Sequence, residues 1–283
     1  MLVSLIREHL RPYKKQIAIV VGLQFVGTMV MLYLPILNAD IIDKGIVSGD
    51  TGYIVRHGGL MLAVSLLQVV CSVVAVWFSA RTAMAFGRDV RAALFHRVGS
   101  FSAREVNQFG APSLITRETN DVQQVQMLVL MGGTLMVSAP IMMVGGVVMA
   151  VHVNAGLSWL VVLVVPTLAL AIGFIVTRMV PSFAKMQERI DEVNRLLREQ
   201  ITGVRVVRAF VRERHEAARF SEANADLTQV SISAGRWLAG MFPTVMLVAN
   251  LASVGVLWFG GHRVESGAME VGELTAYLSY LMQ

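Results

Sequence analysis

Long runs of residues without a single charge restrict this chain to a narrow set of folds. A helix that crosses the roughly 30 Å hydrocarbon core of a bilayer needs about 20 predominantly apolar residues. Five complete runs of this kind lie at residues 16–38, 57–80, 122–151, 157–177 and 237–260. A sixth begins within residues 271–283, and we expect it to be incomplete. With 55% hydrophobic residues, the sequence predicts an all-α membrane protein.

The distribution of basic residues predicts the orientation. Of the 24 Lys and Arg residues, 21 lie at the N-terminus, in residues 81–121 and in residues 178–236. These segments alternate with the runs, so the positive-inside rule places them and the N-terminus in the cytoplasm. The formal net charge of +5 then reflects topology, and we expect no nucleic-acid partner.

The first 15 residues are predicted to form an amphipathic elbow helix along the cytoplasmic headgroups of the lipid. Its apolar and basic residues fall on different sides of a helix. These are Leu2, Leu5, Ile6 and Leu10 against Arg7, Arg11, Lys14 and Lys15.

The segments 81–121 and 178–236 are predicted to continue the spans as helices into the cytoplasm. As one helix, residues 57–100 would measure about 66 Å, so some 30 Å would project beyond the membrane. The tips of these extensions are expected in residues 101–112 and 203–220. The second tip, GVRVVRAFVRERHEAARF, carries five arginines and is predicted to form a short amphipathic helix. At that distance from the bilayer it is better placed to dock on a cytoplasmic domain than on lipid; a solvated tip is the alternative.

Five phrases occur in a characteristic order, namely LIREHLRPYKKQ, LPILNADIIDKGIVSGD, SLITRETNDVQQVQ, the arginine stretch and LWFGGHRVESGAMEVGELTAYLSYLMQ. Together they resemble the transmembrane domain of bacterial ABC exporters of the six-helix, domain-swapped type. The sequences of these segments most resemble the heterodimeric, multidrug-exporter-like branch. The resemblance implies that residues 16–283 form this domain in the inner membrane of a bacterium.

The resemblance also implies two coupling helices, at residues 101–109 and 204–213, that seat on nucleotide-binding domains. Carried over by position, the first includes Phe101, Glu105, Val106 and Phe109. The second includes Val207, Arg208, Phe210 and Arg212. Ser102, Glu105, Val106 and Pro112 depart from the residues common in the family, which leaves the contacts of the first tip less defined. The implied partners are membrane lipid, nucleotide-binding domains and a second half-transporter, as a heterodimer rather than a homodimer.

The chain lacks the G-x-x-x-x-G-K-[ST] phosphate loop, since none of its four lysines follows a glycine. We therefore expect it to bind no cofactor and no metal and to hold no catalytic residue. ATP and magnesium are implied for a nucleotide-binding domain after the sixth helix, which would make the longer protein an ATP-hydrolysing translocase.

Two further sites are hypotheses drawn from residue type. Methionine adapts to varied apolar shapes, and uncharged spans suggest a hydrophobic or amphiphilic cargo. The candidate cavity residues are Gln24, Gln68, Met131 and Asn250. Charges at the outer ends of the spans could form an ion-pair latch. They are Asp40, Asp43, Lys44, Arg263 and Glu265.

Two other classes of function remain open at this point. One is a gradient-driven secondary transporter, which the uncharged spans disfavour because such proteins rely on ionisable residues or broken helices at mid-membrane. The other is a membrane-anchored scaffold, which would share only the docking tips.

Overall fold

The computed structural model describes residues 2–283, with side chains from residue 4 onward; residue 1 of the predicted elbow lies outside the described part. Within that part every regular element is helical, and no strand occurs. The α-helices are α1 (Leu2–Leu10), α2 (Lys14–Asp40), α3 (Thr51–Gly99), α4 (Ala103–Phe109), α5 (Ala111–Thr116), α6 (Val122–Val153), α7 (Ser158–Ala209), α8 (Glu213–Glu265) and α9 (Val271–Met282). Short 3₁₀ turns at Arg11–Tyr13 and Ala155–Leu157 and π-helical turns at Ile41–Ile46 and Arg117–Asp121 connect them.

Five continuous helical segments are long and apolar enough to cross a membrane, at Ser4–Ile46, Thr51–Gly99, Ala111–Val153, Ala155–Ala209 and Glu213–Glu265. The prediction of an all-α membrane protein is confirmed. At 1.5 Å per residue, the 49 residues of α3 measure about 74 Å. This helix begins earlier than predicted because the Asp50 side chain accepts a hydrogen bond from the Tyr53 amide at 3.0 Å and caps its N-terminus.

The chain divides into two compact units. The first comprises residues up to 157 together with residues 259–283, and its main packing is among α2, α3, α6 and α9. Phe86, Val90 and Val122 form a buried cluster at the end of this unit that carries its basic residues, here called the basic end. Ile6 and Leu10 of α1 pack against this cluster. Part of the apolar face of the elbow is thus covered by protein rather than by lipid.

At the opposite end of the first unit, two buried tyrosines hold α9 to its neighbours. The Tyr280 hydroxyl donates to the Leu32 carbonyl of α2 at 2.6 Å, and the Tyr277 hydroxyl donates to the Leu157 carbonyl at 2.7 Å. Both side chains are almost fully enclosed. Because a hydroxyl without a partner in an apolar interior is costly, these bonds specify where α9 sits.

The second unit, residues 158–258, consists of α7 and most of α8 in antiparallel contact. Phe174 meets Trp237 edge-on with ring centroids 6.0 Å apart. Nearer the turn between the two helices, Arg219 of α8 lies 3.4 Å from Glu199 of α7. The paired residue numbers fall along one helix as they rise along the other, as an antiparallel pair requires. Pro166 and Pro181 lie inside α7 without ending it.

Close approach of α2 and α9 depends on Gly272, because a Cβ at this position would overlap the Ala39 carbonyl and the Asp43 carboxylate. We expect Gly272→Ala to destabilise the protein by about 1–3 kcal/mol through overpacking. Thermal unfolding of the full-length protein in detergent would measure the effect. Gly22→Ala is the matched control, since a Cβ there meets open space, and equal melting temperatures for the two variants would contradict the argument.

Candidate functional site

The first tip of the first unit is a compact aromatic turn around α4. The rings of Phe101 and Phe109 stack with centroids 5.8 Å apart. The guanidinium of Arg117 lies 5.5 Å from the centroid of the Phe109 ring. Val106 is half-buried and Phe109 remains exposed. The predicted coupling residues at this tip therefore lie on one short helix and its flanking turns.

Glu105 has a structural task at this tip. Its carboxylate accepts hydrogen bonds from the Ser102 amide at 2.7 Å and from the Ser102 hydroxyl at 2.8 Å. The Ser102 hydroxyl accepts in turn from the Glu105 amide, which completes a capping box. These bonds, the backbone one foremost, lower the pKa of Glu105 below its ordinary value. Ser102 thus supplies the N-cap of α4.

The second tip differs from its prediction. The stretch from Gly203 to Phe220 is not one short amphipathic helix: α7 continues to Ala209, a turn occupies residues 210–212, and α8 begins at Glu213. The Arg212 amide donates to the Val207 carbonyl at 2.9 Å, and the Val211 amide donates to the Arg208 carbonyl at 3.2 Å. This is the Schellman pattern of a helix C-terminus. The periodic spacing of valines and arginines did not reveal the stop because the usual terminating glycine is missing.

Val211 occupies the position of that glycine. Its φ is +53°, a left-handed conformation that is strained for a β-branched residue. Its side chain is 82% exposed, and that of the preceding Phe210 is 74% exposed. Val207 is half-buried, while Arg208 and Arg212 are exposed beside the turn. The tip therefore presents two exposed apolar side chains, Phe210 and Val211, next to exposed arginines.

A groove between α2, α3 and α6 gathers uncharged polar side chains in the first unit. It has a volume of about 280 Å³. Three pairs, each spaced four residues apart on one helix, line it. They are Gln24 and Thr28, Gln68 and Ser72, and Thr134 and Ser138. The methionines Met31 and Met142 complete a lining that is polar without being charged.

The structure brings together only part of the predicted cavity. Gln24 and Gln68 line the same groove, whereas Met131 is exposed away from it. Asn250 belongs to the second unit, on α8, and is exposed there. The prediction missed Thr28, Ser72, Thr134 and Ser138. The sequence did contain a signal for them. Thr28 and Ser72 each lie four residues after a glutamine, and Thr134 and Ser138 lie four residues apart.

The charges at the opposite end of the first unit do not form ion pairs between spans. Lys44 pairs with Asp40 at 2.5 Å, one turn away on the same helical segment. Asp43 instead accepts a hydrogen bond from the Gly272 amide at the start of α9, at 2.7 Å. The Arg263 guanidinium packs over Gly156, and Glu265 is exposed. The link at the start of α9 is therefore a carboxylate-to-amide bond, because the amides in the first turn of a helix have no partner within the helix and are free to donate to a carboxylate.

Glu270, which was not among the predicted residues, lies beside this bond. The negative charge of Asp43, together with a hydrogen bond between the two carboxyl groups, raises the pKa of Glu270. Glu273 raises it further, and Lys44 opposes the shift. A second negative charge beside the Asp43 carboxylate is unfavourable, so Glu270 keeps its proton to a higher pH than a free glutamate does.

The family model for the ABC transporter transmembrane region matches residues 17–283. That match covers nearly the whole chain, from the first span to the last helix. The chain belongs to the ABC transporter transmembrane family. It is accordingly a multi-pass membrane protein, and the predicted resemblance to this family is confirmed.

Among its relatives, a Mycobacterium tuberculosis protein named an uncharacterized ABC transporter ATP-binding protein is 50% identical over the whole chain. A Bacillus subtilis protein with the same type of name is 32% identical over 96% of the chain. A Mycobacterium bovis protein named a multidrug efflux ATP-binding/permease protein is 26% identical over 98% of the chain. The chain covers 49%, 48% and 23% of these relatives, so it spans about half the length of the first two.

The contact between Glu270 and Asp43 makes the start of α9 sensitive to pH. A carboxyl group whose pKa is raised on folding stabilises the folded state fully below its ordinary pKa, and this contribution is lost as pH rises through the raised value. The ordinary pKa of a glutamate is 4.5, and that of Glu270 is raised above it. We therefore expect the hydrogen-exchange protection of residues 266–275 to fall as the pH rises above 4.5. Glu270→Gln should reduce that dependence.

The measurement compares protection factors, corrected for intrinsic exchange, in the wild type, Glu270→Gln and the exposed control Glu265→Gln. The same pH dependence in all three proteins would show that the pair does not control this end of α9.

Proposed function

We propose that this chain is the membrane half of an ATP-driven exporter, in which the two tips receive motion from nucleotide-binding domains. The observation that carries the proposal is the pair of exposed apolar side chains in the turn after α7, Phe210 and Val211. With 52 residues, α7 measures about 78 Å, far more than a bilayer core. Apolar side chains exposed at such a distance from lipid gain stability only by docking on protein.

The strained Val211 strengthens this interpretation. Holding a β-branched residue at positive φ costs on the order of 1–2 kcal/mol, and glycine would remove that cost. Conformational strain of this kind clusters at functional sites. A docking role accounts for the valine, since its side chain adds apolar contact area beside Phe210.

ATP itself belongs to a different domain. The chain has no phosphate loop, and no group of three His, Cys, Asp or Glu side chains suited to a metal ion occurs within the described residues. The names of the relatives refer to ATP binding, which supports a nucleotide-binding domain as the partner of the tips.

The groove between α2, α3 and α6 suits a cargo that is amphiphilic and uncharged. It offers amides, hydroxyls and thioethers without a carboxylate or a basic group. A charge buried there would lack a partner and would cost several kcal/mol. In alternating access, the spans would expose this groove first to the cytoplasm and then to the outside.

The same proposal includes the placement and assembly of the protein. The concentration of Lys and Arg at the tips and the N-terminus supports a cytoplasmic N-terminus in the inner membrane of a bacterium. We infer a second half-transporter as partner, a heterodimer rather than a homodimer, on the resemblance to the heterodimeric branch. The carboxylate-to-amide link at Asp43 would then hold the outer end of the path closed.

The docking role predicts that Phe210→Ala uncouples transport from ATP hydrolysis. We expect the full-length transporter, reconstituted with its partner in proteoliposomes, to assemble and hydrolyse ATP while ATP-driven transport falls about 10-fold or more, since a buried aromatic anchor contributes at least 2 kcal/mol to an interface. Val211→Gly should act in the same direction, and because it relieves backbone strain, unfolding of the tip cannot explain the loss.

Phe242→Ala is the matched control, because Phe242 is 69% exposed but lies on α8 away from the tip. If Phe210→Ala and Val211→Gly both transported as well as Phe242→Ala, the second tip would be a solvated turn without a role in coupling.

The cargo groove predicts that Gln24→Leu/Gln68→Leu weakens recognition of an uncharged amphiphile. Two lost hydrogen bonds of about 1 kcal/mol each correspond to a rise of about 30-fold in the concentration that half-maximally stimulates ATP hydrolysis. A panel of alkyl amides, alkylammonium salts and fatty acids of equal chain length would be compared. Val69→Leu, a change on the same helix outside the groove, is the control. An unchanged amide response in the double variant would remove the groove from the cargo path.

A further inference from the structure

A second and larger cavity lies at the basic end of the first unit. It has a volume of about 440 Å³ and is bounded by α1, α2, α3 and α6. Its lining is apolar apart from Ser79 and Thr82. The Thr82 hydroxyl donates to the Phe78 carbonyl and also meets the Gln16 side chain at 3.1 Å, and the Ser79 hydroxyl donates to the Leu130 carbonyl. With both hydroxyls engaged, the cavity offers an occupant apolar contact only.

The wall formed by α1 is fixed in place by contacts that do not depend on lipid. The His9 ring meets the buried Phe86 ring edge-on with centroids 6.3 Å apart. In the turn after α1, the Tyr13 hydroxyl donates to the Asp89 carboxylate at 2.5 Å. Ile6 and Leu10 therefore face the cavity from a helix that is anchored on α3. The cavity therefore has a wall that is held in place by contacts with α3.

The segment that forms this wall also carries four basic residues. Arg7 and Arg11 directly follow the lining residues Ile6 and Leu10, and Lys14 and Lys15 precede the lining residue Ile17. All four are exposed. Among the side chains that the structure describes, no carboxylate pairs with any of them; the ion pairs at this end involve other residues. One short segment therefore combines cavity-lining apolar residues with exposed positive charge.

We propose that this cavity binds an acyl chain of an anionic phospholipid whose headgroup is held by the basic residues of the elbow. Each buried methylene of the chain gains apolar contact with the cavity wall. Basic residues near the membrane surface attract an anionic headgroup. Only a molecule that is apolar at one end and negatively charged at the other satisfies both parts of the site.

The site is distinct from the cargo groove. The two share no lining residue: the groove uses Gln24, Gln68 and Ser138, while the lipid cavity uses Val20, Gly132 and Met136. A lipid in this cavity would touch α1, α2, α3 and α6 at once. It would act as a structural ligand that ties the elbow to the spans, and its binding does not depend on whether the chain transports anything.

Gly132 offers a direct test because it lines the cavity and a Cβ there meets nothing within 4 Å. Gly132→Leu should place its side chain in the cavity, since the Cβ itself meets no neighbouring atom. Gly173→Leu is the matched control, a glycine on α7 whose Cβ also meets open space. The full-length transporter with its partner would be exchanged into detergent and titrated with phosphatidylglycerol or phosphatidylcholine of identical chains, and bound lipid would be counted by native mass spectrometry.

We expect the wild type and Gly173→Leu to retain phosphatidylglycerol in preference to phosphatidylcholine. Gly132→Leu should reduce retention of phosphatidylglycerol about 10-fold. Arg7→Gln/Arg11→Gln alters exposed side chains only, and it should lower phosphatidylglycerol retention to the level of phosphatidylcholine. Equal retention in Gly132→Leu and Gly173→Leu would show that the cavity holds no acyl chain, for example because a helix of the partner subunit fills it. An unchanged lipid preference in the arginine variant would show that the headgroup is not bound by the elbow.

Discussion

Everything in this structure depends on the need to satisfy backbone hydrogen bonds without water. Inside a bilayer an unpaired amide or carbonyl costs several kcal/mol, so the charge-free runs have helices as their stable form. The helices are also longer than a bilayer core requires, because residues 81–99 and 178–209 are rich in helix formers and α3 and α7 run through them without interruption. The long helices α3 and α7 are the direct consequence.

The two tips solve the problem of helix termination in different ways. At the first, Ser102 and Glu105 satisfy each other and the end of the backbone, and the aromatic rings of Phe101 and Phe109 cover one another. At the second, the hydrogen bonds are complete but Val211 is strained and Phe210 stands exposed. A tip whose hydrogen bonds and aromatic contacts are completed internally needs no partner. A tip with a strained backbone and exposed apolar side chains gains stability from one. We therefore assign the greater share of docking to the second tip.

Polarity inside the first unit is arranged in separate layers. The groove holds uncharged amides and hydroxyls, the elbow cavity is apolar, and the carboxyl groups of Asp43 and Glu270 meet at the opposite end. Glycine makes some of these layers possible: a side chain at Gly133 would overlap Ser79, and one at Gly272 would overlap the backbone of α2. Helices in lipid associate through such close contacts because no hydrophobic force drives them together.

The sequence by itself determined the helical class, the number and approximate position of the spans and the family, since each follows from local hydrophobicity and from phrases in order. Only the tertiary structure decided which side chains meet. It joined Gln24 and Gln68 but left Met131 outside, and it paired Asp43 with the Gly272 amide and with Glu270 rather than with a cation. It also placed the second turn at residues 210–212, where no glycine marked it. Hydrophobic periodicity reports one helix at a time, whereas contacts between helices depend on rotation and close approach, which the pattern along a single helix does not contain.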